Sequence, residues 1–305
     1  MSEVSFRGME KKNERKTYLL LAGMGALVWV VVYAALTYFG KSTVGIVPIA
    51  VGIALISVWG SYYASDTLVM RMTGARIIQE SDNKKLFDLI DEVCIASGLP
   101  MPKVAIVEDS APNAFATGRN PAHAVIAFTT GILDLMDREQ LQGVVAHEMS
   151  HVGNRDTLVS AVAATTAGAI ALLSDFLTRI LFFGGGRRDS RDGNSNPVAL
   201  IVSLVVLILA PIAALLLKSA ISRRRESLAD ATAVSFTRNP AGLRSALEAL
   251  AADSTVVRQR STAVAHIWIE SPLDARAASR FFATHPPIEE RIAALRAMES
   301  LGPRK

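Results

Sequence analysis

Four long apolar blocks constrain what this chain can fold into more than any other feature of it. They run from Tyr18 to Phe39, Val44 to Tyr63, Leu158 to Phe183 and Pro197 to Leu217. The first, second and fourth carry no charge; the third carries only Asp175 and Arg179, spaced to pair on one helix face. Each is about 20 residues or longer, and a helix rising about 1.5 Å per residue then crosses a hydrocarbon core of about 30 Å. Tyr18, Tyr38, Tyr62 and Tyr63 stand at block ends, as interfacial aromatics do. The first block is too long for the apolar core of a signal peptide, has no clear small-residue cleavage site and is followed almost at once by the second. It is therefore expected to be a retained anchor.

Lys and Arg beside the blocks predict their orientation. Lys11, Lys12, Arg15 and Lys16 precede the first; Arg71, Arg76, Lys84 and Lys85 follow the second; Lys218, Arg223, Arg224 and Arg225 follow the fourth. This predicts both termini and the region between blocks two and three on the cytoplasmic side. Arg187, Arg188 and Arg191, in the loop between blocks three and four, pull mildly the other way. The net charge is +4. Much of that surplus lies beside the blocks, where anionic headgroups explain it, and there is no nucleic-acid motif. Cys94 is the only cysteine, which excludes an internal disulfide and a cysteine-based metal site and suits a reducing compartment.

Between and after the blocks the composition is that of a water-soluble domain. Lys84 to Ser97 has the helical period in Leu86, Leu89, Ile90 and Val93 and stops at Gly98-Leu99-Pro100. Strands are predicted at Lys103 to Val107, Asn113 to Gly118 and Ala124 to Phe128, and a short helix at Gly131 to Met136. Later helices are predicted at Pro240 to Ala252 and Pro286 to Leu301, with an irregular stretch from Asp253 to Phe281 between them.

The chemistry lies in Ala146-His147-Glu148-Met149-Ser150-His151, an H-E-x-x-H. On a helix, histidines four apart stack one turn above each other and present imidazoles to one ion, for which Zn²⁺ is suited. Glu148 is rotated off that face, beside the metal, where it can take a proton from water. Asp137 is the expected N-cap, Glu139 lies in the first turn, and Leu141, Val144, Val145 and Met149 supply apolar positions. The bland alternative is a pair of ordinary helix histidines. A zinc site of this kind needs a third protein ligand. Glu226 is the best candidate, with Asp230 four residues on, placed to accept a hydrogen bond from the far nitrogen of a ligand histidine. Read alone, Glu226 and Asp230 would be a solvated acidic pair near Arg223 to Arg225. His123 and His266 match no motif.

With these residues in place, nearly the whole chain resembles the HtpX family, the membrane-embedded zinc metalloproteases of bacteria and archaea related to the CAAX prenyl endopeptidase. The resemblance is carried by the N-terminal pair of apolar blocks, Asn113-Ala114-Phe115-Ala116-Thr117-Gly118, the H-E-x-x-H, the second pair of blocks, Glu226 to Asp230, and Thr284-His285-Pro286-Pro287. It implies a gluzincin arrangement, with one Zn²⁺ per chain held by His147, His151 and Glu226 and with Glu148 as general base. It implies that Asn113, Ala114 and Phe115 lie along the cleft, where an extended peptide adds to a sheet edge. It also implies that His285 donates to substrate or to the tetrahedral oxyanion, although a histidine packed against the following prolines is an equal reading. The expected fold is mainly α: a four-span integral membrane protein of the prokaryotic plasma membrane with a cytoplasmic α+β zincin-like domain. Its expected parts are a tail (1–16), a transmembrane hairpin (17–64), the first part of the catalytic domain (65–157), a second hairpin (158–218) and the second part of the domain (219–305). The metal helix is expected to run through Asn154-Arg155-Asp156 into the third block, which puts the site at the membrane face. The expected partners are the lipid bilayer and membrane-protein substrates, damaged or misassembled, cut in cytoplasmic segments. Three rival readings are an intramembrane protease, a CAAX-type processing protease and a catalytically silent membrane scaffold. The polar residues flanking the motif disfavour the first, and the intact Glu148 and ligand set disfavour the last.

Overall fold

The computed structural model describes residues 66–158, 225–253, 268–269 and 287–300, together with isolated helical positions between 18 and 63. The body of all four apolar blocks, His266 and His285 lie outside the described residues. Among the described residues no helix is long and apolar enough to cross a membrane.

The centre is a four-stranded mixed sheet in the order β1-β2-β4-β3. Its strands are β1 (Arg76–Ile77), β2 (Lys103–Val107), β3 (Ala114–Thr117) and β4 (Val125–Thr129). β1 and β3 lie antiparallel to their neighbours, while β2 and β4 run parallel. The inner strands read Val-Ala-Ile-Val and Val-Ile-Ala-Phe-Thr, runs without polar alternation, as strands covered on both faces do. Their period of two splits them between two cores. Val104, Ile106, Ile126 and Phe128 join the helices on one face; Ala105, Val107, Val125 and Ala127 pack with Val69, Phe115 and Trp268 on the other.

Helix α1 (Lys84–Ser97) is started by Asn83, whose side chain accepts from the Leu86 amide, and is ended by Gly98 in the left-handed region (φ 69°). A short α2 (Thr130–Leu135) leads into α3 (Arg138–Gly153), which carries the H-E-x-x-H. Asp137 and Gln140 cap α3 reciprocally: Asp137 Oδ1 accepts from the Gln140 amide at 2.9 Å, and Gln140 Oε1 from the Asp137 amide at 3.1 Å. From Gly143 to Ser150 every residue of α3 is buried. The sheet and α1 lie against it, and so does α5 (Pro240–Ala252). The contact with α5 is backbone to backbone: a Cβ on Gly143 would lie 2.6 Å from the Leu243 nitrogen. Helix α4 (225–237) precedes α5, and α6 (Ile288–Ser300) closes the helical core through Leu295.

Three expectations are corrected. The metal helix does not run on into the third block. It ends at Gly153, Arg155 takes a left-handed φ of 57°, and the helical state resumes only at 156–158. That turn folds Asp156 back toward α3. The last helix begins at Ile288, not at Pro286; Pro287 stands before it and its carbonyl accepts from Glu290 at 3.0 Å. The strand after Gly118 is shifted by one residue and runs to Thr129, whose hydroxyl accepts from the Ile132 amide and starts α2.

Candidate metal centre

His147 and His151 meet edge to face on α3 with ring centroids 4.7 Å apart. Their Nε2 atoms face each other at 3.2 Å. From α4, Glu226 brings Oε2 to 3.5 Å from His147 Nε2 and Oε1 to 3.6 Å from His151 Nε2. Bonds of about 2.0–2.2 Å at tetrahedral angles put ligand atoms about 3.4 Å apart, so the three are spaced to share one ion. His147, His151 and Glu226 can thus hold a metal, and they group as the sequence predicts.

The second nitrogens are also engaged. His147 Nδ1 lies 3.0 Å from Asp230 Oδ1, and His151 Nδ1 lies 3.4 Å from Asp156 Oδ2. A carboxylate behind Nδ1 keeps a proton there and turns the Nε2 lone pair inward. Two inward lone pairs and a buried carboxylate require positive charge between them. Without a metal, a proton meets that demand. Burial and Arg291 push the His147 imidazolium down, but its bonds to Asp230 and Glu226 outweigh them and lift its pKa to about 9. A divalent cation answers the same demand, and the residues present fit one.

Glu148, the neighbour of His147, is buried. Burial pushes its carboxyl above the ordinary range, against the pull of His147 and His151. Asp230 goes the other way. Burial would raise it, but Arg291 and His147 hold it well below the usual carboxylate range.

Three residues of the site escape a reading of the sequence. Arg291, on α6, is buried, donates to Asp230, and lies 3.7 Å from Glu226 Oε2 and 3.4 Å from His147. The one signal for it is a charge in the apolar period between Ile288 and Leu295. Asp156 and Arg225 read as charges flanking apolar blocks, yet they form an ion pair of 3.1 Å beside His151. Asn113, Ala114 and Phe115 are buried at the β3 edge of the sheet. There the Ile269 amide donates to the Ala114 carbonyl at 2.9 Å, and Trp268 meets Phe115 edge to face at 4.8 Å. His123 is exposed, with Nδ1 2.8 Å from Asn120 Oδ1, and has no part in the site.

A helix bearing two imidazoles and a glutamate, packed on a mixed sheet and completed by a second glutamate, defines a metallopeptidase. Residues 80–299 match the model of peptidase family M48. The chain is 42% identical over 300 residues to the Protease HtpX homolog of Thermoanaerobacter pseudethanolicus, covering 98% of this chain and 99% of that protein. It is 45% identical over 237 residues to the Protease HtpX homolog of Tropheryma whipplei, covering 78% and 80%. The crystal structure of S. mikatae Ste24p is similar in fold, with a TM-score of 0.52 at 18% identity over 94% of this chain and 66% of that one. The chain belongs to peptidase family M48, among its HtpX-type members, and is a metalloprotease that hydrolyses peptide bonds.

Proposed function

We propose that the chain is a membrane-bound zinc endopeptidase that cuts cytoplasmic segments of misfolded or damaged membrane proteins. One observation carries the zinc assignment: two imidazole Nε2 atoms and Glu226 converge at 3.2–3.6 Å while each Nδ1 faces a carboxylate. His147, His151 and Glu226 hold the ion, one per chain. When bound, Zn²⁺ supplies Lewis acidity, which acidifies water and polarises the scissile carbonyl.

Glu148 is the general base. Its buried carboxylate takes the proton of the attacking water and passes it to the leaving amine. Asp230 holds the His147 imidazole in one tautomer. An extended peptide pairs with the β3 edge at Asn113, Ala114 and Phe115. Because Ile269 already bonds the Ala114 carbonyl, pairing at that position displaces it. His285 lies just before Pro287 in sequence and is proposed as a donor to the oxyanion.

Four blocks long enough to span support the membrane assignment. Two sequence positions support a site at the membrane face. Asp156 stands two residues before block three, and Glu226 nine after block four. A cytoplasmic location rests on the Lys and Arg beside the blocks.

The test compares the detergent-purified full chain with Glu148→Gln, each loaded with Zn²⁺ and given an unfolded membrane protein. One zinc per chain in both, with cleavage by the unmodified chain alone, is expected. Full cleavage by Glu148→Gln would remove Glu148 as the base, and absence of zinc in both would remove the metal assignment.

A further inference from the structure

Asp156 lies just past the end of α3, beyond the left-handed Arg155, and Arg225 lies in α4. Arg225 Nη1 lies 3.1 Å from Asp156 Oδ1, and the other oxygen of the same carboxylate lies 3.4 Å from His151 Nδ1. Asp156 is buried, so its charge requires a partner, and Arg225 brings a guanidinium into contact with it. Next in the chain to Arg225 is the ligand Glu226. One ion pair thus touches the backing of one ligand and the backbone neighbour of another.

A second relay has the same composition. Arg291 pairs with Asp230, and Asp230 faces His147 Nδ1. Both histidines are therefore backed by a carboxylate that is itself held by an arginine. The His147 relay is made wholly within the helical core. The His151 relay joins the turn after α3 to α4.

We propose that Asp156 and Arg225 are positioning residues for His151. Arg225 holds Asp156, and Asp156 orients the His151 imidazole toward the metal cluster. The inference rests on the metal reading above.

The test uses the full chain in detergent. The zinc dissociation constant is measured by chelator competition, and the visible spectrum of the Co²⁺-loaded protein reports ligand geometry. Asp156→Asn, nearly isosteric, is expected to weaken zinc binding about 10–100-fold and to shift the cobalt bands, as loss of a group orienting a ligand does. Arg225→Gln is expected to weaken it on the order of tenfold, and Arg225→Lys to restore part of the loss. The double variant is expected to be no weaker than Asp156→Asn, because the two act in series. Should Asp156→Asn not purify, Arg225→Gln and Arg225→Lys carry the same test. Additive losses would overturn the relay. So would unchanged affinity and spectra in both single variants while their metal-free melting temperature falls. His151→Ala is the control: if it binds zinc as tightly as the unmodified chain, the metal reading itself fails.

Discussion

Arg291 closes the fork of its guanidinium on Asp230, with Nε 2.9 Å from Oδ2 and Nη2 2.7 Å from Oδ1. Both side chains are buried, and they join α6 to α4 across 61 residues of sequence. The contact is bidentate, the strongest form of such a pair. Burial works against the charge on Arg291, but Asp230 and Glu226 outweigh it and keep it protonated.

Arg291→Met should therefore be far more costly than loss of a surface ion pair. It leaves Asp230 and Glu226 buried with less compensating charge, and breaking such a pair costs about 3–5 kcal/mol. Thermal unfolding of the metal-free protein is the measurement, and an unshifted midpoint would refute it.

Gly143→Ala should destabilise the protein even though alanine is the better helix former by about 1 kcal/mol. The new Cβ would lie 2.6 Å from the Leu243 nitrogen and 2.7 Å from its Cα, and neither backbone atom has a rotamer to move to. Prising α3 from α5 costs on the order of 1–3 kcal/mol. A midpoint equal to or above that of the unmodified chain would show that the helices do not touch there.

Trp268→Ala should loosen the hold of its neighbour Ile269 on the β3 edge. It removes a fully buried ring packed on Phe115, a loss of about 3–5 kcal/mol if nothing refills the space. Hydrogen exchange at Ala114 to Thr117 should quicken relative to β2. Equal protection in both proteins would mean that the packing of Trp268 does not hold Ile269 on the edge.

Cys94 should be inert as a thiol. Burial first, and Asp91 second, push it up to about 11. The reactive species is the thiolate, and a thiol of pKa about 11 is only about one part in a thousand ionised at pH 8. Alkylation of the folded chain should be slow at pH 8 and climb with pH toward 11, while the unfolded chain reacts at the rate of an ordinary thiol. Fast modification of the folded protein at pH 8 would contradict the buried placement.

Most local structure was legible in the residues. The strand Lys103–Val107, the helices Lys84–Ser97 and Pro240–Ala252, and the cap at Asp137 stand where period and capping chemistry predict them. Two of the three boundaries that moved lie where a turn intervenes. Arg155 breaks the metal helix, and Pro287 stands before the last one. Side-chain period carries no information about a single left-handed residue.

What the sequence determined by itself is the pincer. Histidines four apart on a capped helix must present their rings together, because the helical period allows nothing else. Tertiary structure decided what stands behind the pincer. Asp230 backs His147 while Asp156 backs His151; Arg291 and Arg225 hold those carboxylates; Ile269 sits on the Ala114 carbonyl. These partners come from separate elements, and a buried charge takes whichever opposite charge the packing delivers to it. The spacing of Glu226 and Asp230 pointed to a carboxylate behind one of the histidines, but it recorded neither which histidine nor any of the other partners.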